Sequence, residues 1–547
     1  MSAKKPVKAG LVLVALLALV SCGGKESAAE APAAAEAAMV SEVPDEGAYF
    51  TAIGSEPNVV DVVRFIGIAD RNVFYNVLEP LTRISGGVVV PAGAESWEVS
   101  EDGLVYTFHL RENHWSDGKK VTSYDYANAL YRQAEPGNAF AFASDIFCLK
   151  GFEEVFKGEA ESSELGIETP DEDTLVLYFD EPSPALLSTF DFYPEREDYV
   201  EKYGDRLGTD AESVASCGPY SLSGWVHNSE LSFVKNEEYW DADNVLLESL
   251  TWMVISDTAA QYAAFLSGEI DYLELSDIDN ITALERDGGY IEERIPGTRT
   301  YMLVLNGNDG LFQNEKVRLA FSLAAGREGI AEDLFNSLMT PAYGLVPPTC
   351  SVGSRLYREA VEEPLRELCA ADPVELLKEG LEELGLEPDP SKLTVELSLG
   401  STSASMKLQG EYYQQMFQEA LGVTVSLSMN NSTTHLANIR QGKYQMGMAS
   451  WGADLEPQFQ LTRFVGGGQH KKANPVFDEL TLSAVVEIDE EERLEKYAAA
   501  EKELIQSAMI IPLYYSGIVR FSYPYVRGLW TNEFDSTSFK TVYTSGR

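Results

Sequence analysis

Between Leu104 and Arg111 apolar and polar positions alternate: Leu104, Tyr106, Phe108 and Leu110 share one face of an extended strand, and Val105, Thr107, His109 and Arg111 share the other. Trp97-Glu98-Val99-Ser100 leads into this strand through a Glu101-Asp102-Gly103 turn, and Trp115-Ser116-Asp117-Gly118 makes a second turn after it. Thr122-Ser123-Tyr124-Asp125 has capping-box spacing and predicts a helix through Tyr131. Tyr49 to Ile53 and Thr174 to Phe179 predict strands, and Phe74 to Leu81 a helix. Val317, Phe321 and Ala324 recur at helical spacing. Met446 to Trp451 is a short apolar run suited to a buried strand end, broken at Gly452 and closed in a turn by Pro457.

Asp454 lies just past Trp451, amid side chains that cannot pair with it. A carboxylate in low dielectric either neutralises itself or acquires a cation and hydrogen-bond donors. A cation brought by a ligand would make the stretch an amine-recognition site. A turn or N-cap aspartate at a strand end accounts for the same residues.

Composition narrows the class. At 547 residues the chain has room for three or four ordinary domains, or two lobes elaborated from them. Apolar content of 45% with 11% aromatic residues excludes a wholly disordered protein. Lys4, Lys5 and Lys8 precede the apolar run Ala9 to Val20, which is too short to span a bilayer but fits a signal-peptide core. Leu19-Val20-Ser21-Cys22 resembles a bacterial lipobox, which implies cleavage before Cys22, lipid on its sulfur, and residues 22–45 as an Ala/Glu-rich tether. The net charge is −46, or −49 once the three lysines of residues 1–21 are gone, so nucleic acid is excluded as a partner. Cys148, Cys217, Cys350 and Cys369 show no Cys-x-x-Cys spacing, and Cys350 is expected to pair with Cys369 across a surface loop.

The two turns, strand and capped helix of Trp97 to Asp125 resemble the signature of the peptide- and nickel-binding cluster of bacterial extracytoplasmic solute-binding proteins, the receptors of ABC importers. Cys217-Gly218-Pro219-Tyr220, Lys235-Asn236, Tyr239-Trp240-Asp241, Ser267-Gly268-Glu269-Ile270-Asp271, Lys316-Val317-Arg318 and Ile511-Pro512-Leu513-Tyr514-Tyr515 continue the resemblance from about residue 48 to the end. It implies an α/β fold, a two-lobed periplasmic-binding-protein-like clamp with an extra subdomain inserted near 80–195 of the first lobe. Lobe one would comprise 46–298 and 510–547, and lobe two 299–509, with two strand crossings as the hinge.

In this family a Trp-x-Ala-Asp element supplies the aspartate that meets a peptide's α-ammonium, and Trp451-Gly452-Ala453-Asp454 matches it. The resemblance further implies main-chain pairing of ligand with Ser450 and Gly452, a facing contact from Ile66-Gly67-Ile68, and ring packing by Phe142, where many members have tyrosine. Met448 stands where some members carry a basic residue for the ligand's carboxylate, so Arg463, Arg440 and His435 become the candidates for that role.

The expected protein is thus a lipid-anchored, monomeric receptor that captures short peptides and delivers them to a permease and its ATPases. It needs no cofactor and touches the membrane only through its lipid. The same clamp holding a nickel chelate, haem or oligosaccharide is the alternative. A secreted hydrolase is remote, because no Gly-x-Ser-x-Gly or His-Glu-x-x-His occurs and Ser232-Phe233-Val234-Lys235 falls in a strand pattern.

Overall fold

The computed structural model describes residues 43–138, 140–531 and 537–547; the signal peptide, Cys22 and most of the tether expected from the sequence lie outside the described residues. The alternating segment forms the strand Val105–Leu110, with Tyr106, Phe108 and Leu110 buried as the pattern requires. It sits in a four-stranded antiparallel sheet between Ala94–Val99 and Thr174–Tyr178, with Ile167–Asp171 at the far edge. The helix Ser123–Ala134 packs on this sheet, and its first turn is closed by Asp125, which accepts from both the amide and the hydroxyl of Thr122.

A second four-stranded sheet runs in the order Tyr49–Gly54, Ser249–Val254, Glu230–Lys235, Tyr220–Val226. These two sheets share one hydrophobic core, to which Tyr272, Val526, Phe539 and Val542 return from later in the chain. The largest sheet has seven strands, and its central members are the long strands Ile291–Leu305 and Ile510–Ser522. Residues 291–296 of the former pair with 517–522 of the latter beside Tyr272–Leu275, whereas residues 299–305 also pair with Met446–Gly452. Separate apolar clusters flank this second half of the sheet, one around Phe321, Tyr413 and Phe417 and one around Phe464, Phe477 and Tyr497. Two bodies with their own cores are thereby joined through continuous strands.

Two sequence expectations are corrected. The helix placed over Phe74 to Leu81 is Ile68–Val77. Its start is fixed by the buried Asp70 carboxylate, which accepts the amides of Asn58, Val59, Ile66 and Gly67, and Pro80 disfavours helical backbone at Glu79. Cys350 and Cys369 do not form a disulfide. Leu365 turns inward and leaves Cys369 exposed, whereas Cys350 is buried in the lobe core and donates its thiol to the Asp454 carbonyl at 3.4 Å.

Candidate functional site

The strand Met446–Gly452 runs antiparallel to Ile291–Leu305 along its whole length, from Leu305↔Met446 to Arg299↔Gly452. On its other edge Thr394–Leu399 accompanies it only at Leu397↔Met446 and Ser398↔Gly447. His435 closes the next step: its Nδ1 meets Ser398 Oγ at 2.9 Å and its Nε2 meets the Met448 carbonyl at 2.8 Å. Backbone groups alternate from edge to edge along a strand, so Ser450 and Gly452 present theirs on the same side as Met448. Among the described residues no strand lies across from them. A fully engaged, buried His435 is therefore a strut of this edge, and its candidacy as anchor for a ligand carboxylate is withdrawn.

Just beyond the strand, Ala453 is tied by its amide to Thr298 O at 2.9 Å, and Asp454 follows. Among the described residues no hydrogen bond or ion pair ends on the Asp454 carboxylate. Burial pushes its pKa up to about 6; Arg71 and Arg463 act against that shift, and Asp145 adds to it. The Arg463 guanidinium lies over the rings of Phe459 (4.0 Å) and Trp451 (4.3 Å). Among the described residues Arg463 Nε and Trp451 Nε1 are buried without a hydrogen-bond partner. Arg440, the other basic candidate, is exposed at the last turn of the helix Ser432–Gln441.

The neighbours of Asp454 across the cleft come from the first body. Arg71, in the first helical turn after Gly67, lines a recess with Phe142, Asp145 and Asp191. Phe142 stacks on Phe65 with ring centroids 4.7 Å apart, and the Arg71 guanidinium sits 5.7 Å from the Phe142 centroid. Burial alone would lower the Arg71 pKa, but Asp191, Tyr193, Tyr75 and Asp454 together outweigh it and hold the guanidinium above its ordinary value. Asp191 is itself raised by burial, and the hydroxyls of Tyr193 and Tyr75 donate to it at 3.4 and 3.5 Å. Ile66 and Ile68, flanking Gly67 at the same helix start, are 63% and 53% exposed. A strand edge that no other described strand covers, a half-buried carboxylate with no bonded partner among the described residues, and an opposite wall of Phe142, Ile66 and Ile68 beside Arg71 make a cleft suited to an extended chain with a positive end.

Residues 88–472 match the model of the bacterial extracellular solute-binding proteins, family 5. The chain belongs to this family. Such proteins bind a solute outside the cytoplasm and are not enzymes. Among its relatives, the periplasmic oligopeptide-binding protein OppA of Salmonella typhimurium is 29% identical over 98% of both chains. The dipeptide-binding protein DppE of Bacillus subtilis is 29% identical over 83% of this chain and 84% of its own. The unliganded open form of the murein tripeptide-binding protein MppA superimposes with a TM-score of 0.80 at 25% identity, covering 92% of this chain and 99% of that one. Haemophilus influenzae OppA in complex with RPPGFSPFR gives 0.70, also at 25% identity, over 92% and 100%. The two-lobed family 5 clamp with its inserted subdomain is thus this protein's fold. No described helix is long and apolar enough to cross a membrane.

Arg71, Asp145 and Asp191 escape the sequence reading. Arg71 follows Gly67 by one helical turn, yet nothing local marks it, because its importance comes from Asp191 and Asp454, far along the chain.

Proposed function

We propose that this family 5 protein is the peptide-capturing component of an ABC importer, holding a short peptide by its main chain and its ammonium terminus. The observation that carries the reading is the Asp454 carboxylate, withdrawn from water, without a bonded partner in the described chain, and placed where the open edge of Met446–Gly452 ends. A peptide laid against Ser450 and Gly452 would add a strand there, and its ammonium would supply the charge that Asp454 lacks. Trp451, Phe142 and the Ile66-Gly67-Ile68 segment form the surrounding walls in this reading. The names of the relatives, oligopeptide- and dipeptide-binding proteins, support peptide as the solute.

The receptor acts as a monomer, tethered by lipid on Cys22, and passes its cargo to a permease driven by cytoplasmic ATPases. The lobe limits 46–298 with 510–547, and 299–509, belong to the same proposal, supported by the separate cores on either side of the long strands. Titration calorimetry with a tripeptide and its N-acetylated form tests it. The free amine should bind and the acetylated form should bind far more weakly; equal affinities would remove Asp454 as the anchor.

A further inference from the structure

The recess beside Phe142 is furnished for a cation, and the chain places one of its own there. Phe65, Phe140 and Phe190 contribute aromatic walls, and the polar lining includes three acceptors, the carboxylates of Asp145 and Asp191 and the side-chain amide of Gln133. Gln133 is 4% exposed, and its Nε2 donates to the Val62 carbonyl at 2.9 Å. Its free atom is therefore the acceptor Oε1, buried without a hydrogen-bond partner among the described residues. Buried acceptors and a buried carboxylate favour a cation that carries hydrogen-bond donors. Arg71 enters from the helix Ile68–Val77, but it is loosely held. Among the described residues no hydrogen bond or ion pair ends on its guanidinium, which rests 5.7 Å from the Phe142 centroid. The space left in the recess is about 10 Å³, room for a single water molecule.

We propose that Arg71 occupies the place open to the first side chain of a bound peptide, and that it thereby excludes peptides beginning with lysine or arginine. This rests on the peptide reading above. The α-carbon is bonded to the ammonium nitrogen, so the first side chain starts beside Asp454 whatever the length of the peptide. On the second-lobe side of Asp454 stands Arg463, packed on Trp451 and Phe459. On the first-lobe side lies the Arg71 recess, whose Arg71, Asp145 and Asp191 all act on the Asp454 charge. A basic first side chain therefore meets a filled recess and two like charges. A small neutral one needs no entry there. An acidic one gains nothing overall, because Asp145, Asp191 and Asp454 outnumber Arg71 and Arg463. With Arg71 removed, the same acceptors become available to a lysine ammonium carried by the ligand.

The test titrates the full-length protein and Arg71→Ala calorimetrically with Ala-Ala-Ala, Lys-Ala-Ala, its isomer Ala-Ala-Lys, and Glu-Ala-Ala. In the wild type Lys-Ala-Ala should bind about tenfold or more weaker than Ala-Ala-Lys, and Glu-Ala-Ala no tighter than Ala-Ala-Ala. Arg71→Ala should recover that tenfold for Lys-Ala-Ala while Ala-Ala-Lys changes little, and adding Asp191→Asn should cancel the gain. Arg71→Gln, shorter and neutral, should shift the ratio of the two isomers in the same direction, so misfolding of Arg71→Ala does not shelter the proposal. Equal binding of the isomers by the wild type overturns it, as does an isomer ratio that neither Arg71 variant alters. A wild-type preference for Glu-Ala-Ala that Arg71→Ala abolishes would make Arg71 a partner for acidic side chains and overturn it too. In all three cases the peptide reading stands. No binding of any of these peptides by the wild type removes both.

Discussion

Asp454 and Glu456 lie two positions apart in one turn, both drawn away from water, and they meet opposite fates. Glu456 is 3% exposed and holds Arg493 through two bonds, Nε to Oε2 at 3.2 Å and Nη2 to Oε1 at 3.1 Å. Arg493 also donates to the carbonyls of Glu487 and Ile488, so that pair is complete within the chain. Asp454 has no such mate among the described residues, and burial outweighs the pull of Arg71 and Arg463 on its proton. Glu501 repeats the Glu456 solution, fully buried among Arg358, the Tyr357 hydroxyl and the amides of Leu345 and Val346. A carboxylate that the fold itself satisfies contributes to the fold; one left unsatisfied beside a cleft is the candidate for a ligand's charge that the proposal uses.

This contrast can be broken most forcefully at Glu456. Glu456→Ala leaves Arg493 buried without its counter-charge and should cost about 3–5 kcal/mol of stability, read by chemical denaturation. A variant as stable as the wild type would dissolve the distinction. Asp454→Ala should do the reverse: peptide affinity falls by about 2–5 kcal/mol, while the melting temperature at neutral pH holds or rises, because an uncompensated charge has been removed. A drop in melting temperature there would mean that Asp454 is structural after all.

Acidity sharpens the comparison further. With its pKa raised to about 6, Asp454 of the empty receptor carries a proton below that pH and is ionised above it. Capture of an ammonium needs the ionised form of Asp454 and the protonated amine, so affinity should be greatest near pH 7, fall by about tenfold per pH unit below about pH 6, and fall again above about pH 8 as the ligand's α-amino group loses its proton. Binding at pH 5.5 should accordingly release a proton, measurable as a dependence of the binding heat on the buffer's ionisation enthalpy. In Asp454→Asn both the acid-side slope and the proton release should vanish. The smallest expected effect is none: reductant should leave the melting temperature and the alkylated mass unchanged, because Cys350 and Cys369 are unpaired.

Much of the scaffold was legible in local pattern. The Val105–Leu110 strand and the Thr122 capping box follow from periodicity and a short-range hydrogen bond, which neighbouring residues alone specify. The limits of Ile68–Val77 were missed because its start depends on Asp70 gathering four amides, two of them from the loop at Asn58 and Val59. Trp451-Gly452-Ala453-Asp454 could be singled out as a segment, but a carboxylate's partners cannot be counted along a chain. Whether Asp454 resembled Glu456 depended on Arg493, brought by a distant helix to one and not to the other.

The sequence by itself, through its resemblance to the family, determined a two-lobed α/β receptor of the solute-binding kind, and it singled out the segment that carries Asp454. The fold was legible through short motifs such as the Thr122–Asp125 box, whose hydrogen bonds close within a few residues. Only the tertiary structure decided that His435 is a strut, that no described strand covers the edge at Ser450 and Gly452, and that Arg71 stands at the cleft. Those outcomes depend on which remote side chains share a small volume, because Coulomb interactions and hydrogen bonds act over ångströms of space and take no account of separation along the chain.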